Sequence, residues 1–258
     1  MSSFPQIGTG SVAQFPLTRS RRWRAIRNDL ESSEQIMLSD PAAGQIEWRL
    51  PYQDLTDAEA GALGNLFAAS QGSFGAFTFI DPLANLLAWS EDLSQPGWQF
   101  GLLQNASGVG DPLGTQRAWS VSNASAASQA LQQTLGVPGE YVACFSFYLR
   151  SNVAGTVALV RDGTQRNVAV GPAWQRAFVN STGIGGAVHS GFSIAVTAGQ
   201  SIDLWGLQVE VQPYPSVYRQ TSVAEGIYAE TYFENDELKI TSTSPGLSSC
   251  EISLMSRV

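Results

Sequence analysis

The chain has 258 residues, 43% of them apolar, with 7 Trp, 12 Phe and 7 Tyr, which is enough to bury a sizeable core and excludes a disordered chain. Charged residues make up only 14%, well below the usual ~25%, so polar β-faces or surfaces covered in an assembly are expected. Fourteen basic against 22 acidic residues leave a net charge of −8, which argues against generic nucleic-acid binding, since that needs a basic footprint.

In chain order, Met1-Ser-Ser-Phe-Pro5 shows no basic segment leading into an apolar one, so no secretory leader is expected, nor any bilayer-spanning run. Five arginines then crowd together: Arg19, Arg21, Arg22, Arg24 and Arg27. They match no nucleic-acid motif and lie in an acidic protein, so the expectation is a subunit interface, a basic arm against an acidic patch of a neighbour. A solvated basic surface is the alternative. Next, Ile46, Trp48, Leu50 and Tyr52 alternate with Glu47, Arg49 and Pro51, the pattern of a half-buried strand with a proline at its edge. Thr56 and Glu59 form a T-x-x-E capping box at the start of a helix over about 55–70, with Leu63, Leu66 and Phe67 on one face and Gly72 as terminator. Phe74, Phe77 and Phe79, closed by Asp81-Pro82, predict another strand. This α+β unit has too few strands to cover its helix. The end of the chain supplies more: Leu238–Thr243 and Cys250–Ser256 alternate on either side of a Ser-Pro-Gly loop, a hairpin signal.

A core that needs both chain ends makes the middle an insertion, which surface loops tolerate. Charge marks the same divisions. Residues 1–82 carry six basic and nine acidic groups, 83–222 six and seven, and 223–258 two and six. The expected organisation is therefore a discontinuous domain of 1–82 and 223–258 around an inserted domain of 83–222. Within the insert, short alternating runs at Tyr141–Arg150, Thr156–Val160, Gln175–Val179, Phe192–Val196 and Ile202–Val209, with hardly any helical periodicity, predict a β-sandwich of jelly-roll type with about eight strands. The fold class is mainly β.

Catalytic signals are sparse. The single histidine, His189, lies in a polar Gly-Gly-Ala-Val-His-Ser-Gly run, so multi-histidine zinc sites are impossible and a loop or strand edge is expected for it. No GxSxG elbow or P-loop is present. Glu91-Asp92, Asp203, Glu210 and Glu140 are the mid-chain acids available to a two-carboxylate glycosidase, and spacing alone pairs none of them. Cys144 and Cys250, far apart in the chain, read as buried free thiols. Asn105-Ala-Ser, Asn123-Ala-Ser and Asn180-Ser-Thr match the glycosylation acceptor pattern by chance, since no leader is expected. No enzyme is expected.

Two resemblances add to this. Ile46-Glu-Trp-Arg-Leu-Pro-Tyr-Gln-Asp-Leu-Thr-Asp-Ala-Glu59, continuing through Leu66-Phe67 and Gly72 to Phe77-Thr-Phe-Ile-Asp-Pro82, with Cys250–Arg257 as the closing strand, resembles distal tail and tail-tip proteins of long-tailed phages and phage-like particles. Asn85-Leu-Leu-Ala-Trp-Ser-Glu-Asp-Leu-Ser-Gln-Pro-Gly-Trp98, the strand Tyr141–Arg150, Trp174-Gln-Arg176, Ile202-Asp-Leu-Trp-Gly-Leu-Gln-Val-Glu210, and then Pro215, Tyr218 and Thr221 resemble the carbohydrate-binding-like jelly rolls of phage tail and fibre proteins.

Together the resemblances imply a virion structural protein of the tail tip or baseplate, assembled in the host cytoplasm. It would form a homo-oligomeric ring with tail tube and tail hub proteins as partners, and its module would face host cell-surface polysaccharide. A stand-alone glycan-binding adhesin or receptor-binding protein is the alternative, and a gene-transfer or injection particle carries a similar tip. Exposed aromatics stack on sugar rings, and polar side chains satisfy the hydroxyls. Trp174 and Trp205 are expected in the core, while Trp89 and Trp98 stand open between core and ligand. With Phe145, Phe147 and Leu149 on one face, Tyr148 and Arg150 fall on the other. The expected glycan contacts are Trp98, Tyr148 and Arg150. Related sandwiches hold a structural Ca²⁺ between first and last strands, for which Glu91 and Asp203 are the expected ligands, with plain surface acids as the alternative.

Overall fold

The computed structural model describes residues 2–31 and 34–257. The chain divides into two compact units. One is drawn from the chain ends (2–8, 12–79 and 228–257), the other from 9–11 and 80–227, where composition placed the changes at 82 and 223.

The first unit opens with a long antiparallel ribbon, β1 (Thr18–Asp29) on β2 (Gln35–Thr56), running from Thr18 opposite Arg49 to Asp29 opposite Gln35. The arginine cluster is thus a strand, and every residue of β1 is exposed. Only the second half of β2, Ile46 to Leu55, alternates against a core, and that half is the strand its pattern predicts. The helix α1 (Asp57–Ala69) starts on the predicted box: the Thr56 N–H donates to Glu59 Oε2 at 2.7 Å and the Glu59 N–H to Thr56 Oγ1 at 3.4 Å. Glu59 Oε1 also accepts the Gly8 N–H at 2.6 Å, so one side chain fixes the helix start and the N-terminal segment together. The Thr56 hydroxyl, which donates to Glu59 Oε2 at 2.6 Å, is foremost in holding the Glu59 carboxyl below its ordinary range, followed by the Gly8 and Thr56 N–H groups. Gly72 (φ +67°) returns its N–H to the Phe67 carbonyl at 3.1 Å and ends the helix. Strand β3 (Phe77–Ile80) follows; Phe74, expected in it, lies outside and is 81% exposed.

The second unit is a sandwich of antiparallel strands: β4 (Gln104–Val109), β5 (Ala118–Ser122), β6 (Gln129–Leu135), β7 (Ala143–Arg150), β8 (Gly155–Arg161), β9 (Thr164–Val170), β10 (Gln175–Ser181), β11 (Ser190–Val196) and β12 (Ser201–Glu210). One sheet has the order β10-β7-β12-β5-β4, the other β6-β11-β8-β9. Between them lie Phe145, Phe147, Leu149 and Leu204 from the first and Leu131, Leu159, Phe192 and Ile194 from the second, all essentially inaccessible, with the Phe145 and Phe192 rings 6.0 Å apart across the gap. The Asp162-Gly163 turn joining β8 to β9 has φ positive at both residues, as a two-residue hairpin requires. Asn85 ties the start of the unit to its end: its Oδ1 accepts the Leu87 and Val209 N–H groups, and its Nδ2 donates to the Leu207 and Arg219 carbonyls. Thr221 and Ser90 close the same seam.

The chain then returns to the first unit as β13 (Ile227–Phe233), β14 (Ile240–Ser244) and β15 (Leu247–Arg257), giving a sheet of order β1-β2-β15-β13-β3 with β14 on β15. The Ser-Pro-Gly loop is the β14–β15 turn, with Gly246 at φ +76°. One face of the sheet packs against α1 through Leu63 and Leu66, around rings in edge contact: Phe4 with Phe79, Trp48 with Phe79 and Tyr228, Phe67 with Phe233. Each of the fully buried rings contributes about 1.5–3 kcal/mol by burial. Cys144 and Cys250 are buried free thiols, and burial pushes them up to about 12 and about 11. Among the described residues no helix is long and apolar enough to cross a membrane.

Candidate functional site: an aromatic cavity on the outer sheet face

Because Phe145, Phe147 and Leu149 point inward, Tyr148 points out of the five-stranded sheet. Directly opposite it stand Arg176 on β10 and Trp205 on β12, so three adjacent strands present an Arg–Tyr–Trp row on one face. The row depends on an irregularity in β12. Between Trp205 and Gln208 the register shifts, and Gly206 adopts φ +65° with little room for a side chain, since a Cβ would meet the Tyr148 ring at 3.3 Å and the Tyr218 ring at 3.4 Å.

The segment 211–221 crosses this face and is pinned by polar groups. The Gln208 side-chain oxygen accepts the Arg219 N–H at 2.8 Å, the buried Glu210 carboxylate accepts the Ser216 N–H at 3.0 Å, and Asn180 donates to the Pro213 carbonyl at 2.7 Å. Arg176 donates to the Ser216 carbonyl at 2.6 Å and to Ser146 Oγ at 3.0 Å while its guanidinium lies 5.5 Å over the Tyr148 ring. The segment delivers Tyr218, whose ring packs 4.9 Å from Trp205, itself 5.2 Å from Tyr148.

These groups line a cavity of about 590 Å³, completed by Glu91, Arg117 and the exposed apolar side chains of Leu113 and Val217 at its mouth. Glu91 is its one carboxylate among the described lining residues. Its side chain is only 6% exposed and sits 3.1 Å from Arg117 Nη1, beside the Tyr218 hydroxyl and the Trp205 ring N–H, with no well-aligned hydrogen bond to either. Burial pushes the Glu91 carboxyl up, against the pull of Arg117. Asp111 stands behind Arg117, outside the cavity. Burial would raise it too, but hydrogen bonds from Thr115, Arg117 and Leu113 outweigh that and hold it below its ordinary range. The Tyr218 hydroxyl, 2.8 Å from Ser90 Oγ, is held protonated by burial.

Of the expected glycan contacts, Tyr148 lines this cavity. Arg150 shares its sheet face but pairs with Asp203 at 2.9 Å and lies 4.8 Å over the Trp174 ring, outside the lining. Trp98 is a correction: it is 5% exposed and its ring N–H donates to the Trp89 carbonyl at 3.0 Å, so it offers no open face for stacking. Trp205 is buried as expected, whereas Trp174, expected in the core, is half-buried beneath Arg150. Glu91 and Asp203 are not brought together as cation ligands, because each is paired with its own arginine, and no group of three or more His, Cys, Asp or Glu suited to a metal occurs among the described residues. His189 is exposed, next to β11. In the arginine cluster, Arg22 pairs with Glu47 at 3.2 Å, Arg24 with Asp40 at 3.4 Å and Arg27 with Asp29 at 3.7 Å, so the ribbon offsets part of its own charge.

Sequence reasoning missed Arg117, Arg176, Trp205 and Tyr218 as cavity residues. Tyr218 and Trp205 were legible as motif positions. Their convergence was not, because it depends on strand order and on the bulge at Gly206.

No protein family and no curated protein matches the chain. Several solved structures are similar to about half of it. The enzymatically active domain of bacteriophage CBA120 tailspike protein 4 matches 51% of this chain at 15% identity with a TM-score of 0.38, and this chain spans only 22% of that one. The CBM22-1 xylan-binding domain from Paenibacillus barcinonensis Xyn10C matches 53% at 13% identity, covering 99% of that domain with a TM-score of 0.42. The C-terminal family 22 carbohydrate binding module of Clostridium thermocellum Xyn10B matches 51% at 18% identity, covering 96% of it with a TM-score of 0.41.

Proposed function

We propose that the sandwich unit binds a glycan, without turning it over, in the cavity between the Arg176–Tyr148–Trp205 row and the segment carrying Tyr218. The observation behind this reading is the cavity's make-up. The rings of Tyr148 and Tyr218 and the exposed apolar side chains of Leu113 and Val217 suit the C–H faces of a sugar, and a buried carboxylate paired with an exposed guanidinium suits its hydroxyls. Binding is favoured over hydrolysis because two-carboxylate chemistry needs a second acid in the cavity, and Asp111 stays behind Arg117. A glycan array probed with the full chain, followed by titration of a hit against Tyr148→Ala, tests the reading. The expected result is a hit weakened about fivefold by the variant, as loss of an aromatic contact of ~1 kcal/mol requires. An empty array, or a hit indifferent to Tyr148, sinks it.

The fuller reading is a tail-tip or baseplate component of a phage or phage-like particle, a ring-forming subunit placed on tail tube and hub proteins and displaying the sandwich to host polysaccharide. One observation favours assembly over a free-standing adhesin. The far end of the β1–β2 ribbon has no core of its own, yet it exposes Trp23, Ile26, Ile36 and Leu38. Light scattering over a range of concentrations is expected to show a discrete oligomer or a climb toward one; a monomer throughout shifts the protein to the adhesin reading.

A further inference from the structure

The outer face of the five-stranded sheet continues past the aromatic cavity in one direction only. On one side of the Arg176–Tyr148–Trp205 row, Ser146 and Gln208 are wholly inaccessible beneath the segment 211–221, which Arg176 and Gln208 hold in place. On the other side the next residues along the same face are Arg150 and Asp203, opposite each other on β7 and β12, with Ser120 of β5 opposite Asp203. Arg150 is held by the Asp203 carboxylate at 2.9 Å and by the Trp174 ring at 4.8 Å, and its side chain is still 30% exposed. Beyond this pair, where β12 begins at Ser201, lies a second cavity of about 330 Å³. Ser120, Ser201 and Asp203 line it from the sheet, and the loops 151–155 and 197–200 complete it. Trp205 and Ser201 are about 13 Å apart along β12, so one oligosaccharide can touch both cavities.

The second cavity is rich in hydrogen-bonding groups. The Ser120 and Ser201 hydroxyls lie 3.4 Å apart, and the Asn152 side chain is exposed at the rim. Gln200 contributes its amide, whose Nε2 is buried without a hydrogen-bond partner among the described residues. Gly155 makes room for that amide, since a Cβ there would meet Nε2 at 2.5 Å. A buried donor left unpaired is costly, and a ligand oxygen beside it would remove that cost.

We infer that this second cavity is a further subsite of the same binding face, and that the ligand is a neutral polysaccharide chain running from the aromatic cavity past Arg150 into it. The inference rests on the glycan reading above and names the ligand class. The charges along the path are already matched: Glu91 with Arg117 and Asp203 with Arg150, while Arg176 donates to the Ser216 carbonyl and the Ser146 hydroxyl. What the path offers beyond its rings is hydroxyls and amides, which suit a hydroxyl-rich, uncharged chain. Because the segment 211–221 covers the face on the opposite side, the chain extends from the aromatic cavity one way.

The test titrates the full chain with neutral homo-oligosaccharides of glucose, galactose, mannose and xylose, each from disaccharide to hexasaccharide, and with uronic-acid oligosaccharides of the same lengths. At least one neutral series is expected to bind, with affinity rising about tenfold or more from its disaccharide to its longer members, an increment that a few hydrogen bonds supply. The double variant Asn152→Ala, Gln200→Ala should abolish that increment, leave the disaccharide's affinity unchanged and melt close to the parent. Tyr148→Ala should instead weaken every length by the same factor. A series bound equally at all lengths, or a length dependence that the double variant leaves intact, overturns the second subsite while the aromatic cavity stands. Binding confined to the uronic-acid series overturns the neutral class. If no series binds, this inference falls, and the wider glycan array decides the reading beneath it.

Discussion

Two carboxylates within reach of one arginine illustrate how environment decides a residue's behaviour. Asp111 receives backbone and hydroxyl hydrogen bonds and stays ionised; Glu91, equally hidden, receives none that is aligned and is pushed up by burial. A raised pKa means that the protonated acid is the form the fold favours, so this contribution is present in acid and is lost as pH rises. Glu91→Gln should therefore melt above the parent at pH 7, with the gap closing toward pH 4, when followed by thermal denaturation across that range. The same variant should bind the array hit about tenfold or more weakly, since a hydrogen bond to a charged group is worth ~1.5–3 kcal/mol. Gly206→Ala places a Cβ against two rings at a positive φ; a loss of roughly 1–3 kcal/mol in stability is expected by urea titration, and an unchanged midpoint would refute the requirement. Glu91's role was not legible in the sequence, because it follows from Arg117, Trp205 and Tyr218, all more than twenty residues away, whereas the groups that hold Asp111 ionised lie within six residues of it.

Elements were legible where a local rule acts alone. The Thr56–Glu59 box is one: it carries its own hydrogen-bond logic within four residues, and the helix begins there. Thr56→Ala should cost ~1 kcal/mol, a shift of about 2–4 °C in a chain of this size, measurable by calorimetry. The alternation of Ile46 to Tyr52, of Phe145 to Leu149 and of β15 was equally plain, since one side of each strand faces a core. Strands without that asymmetry escaped. β1 is exposed throughout, β4 nearly so, and the exposed stretch of β9 follows an Asp-Gly turn that went unused. Arginines in such a strand are distinguished by their partners across the ribbon, and those partners are set by register.

At the scale of the whole molecule, the insert leaves and re-enters the first unit at neighbouring points: the Asp81 N–H donates to the Gly226 carbonyl at 2.8 Å, and β3 and β13 are adjacent in the sheet. Replacing 81–226 by a short turn should therefore leave a chain that melts cooperatively with a β-rich spectrum; an unfolded product would show that the first unit depends on the insert. The chain crosses between the units at 79/80 and 227/228, a few residues from the composition changes at 82 and 223. The ribbon has a further consequence. As the last strand of its sheet, β1 carries a long row of peptide groups facing solvent, the usual seed of fibrous aggregation. Two such edges meeting antiparallel would set guanidinium groups against guanidinium groups across the new ladder, a repulsion repeated down its length. Copies crowded together are thereby kept from zipping into one continuous sheet.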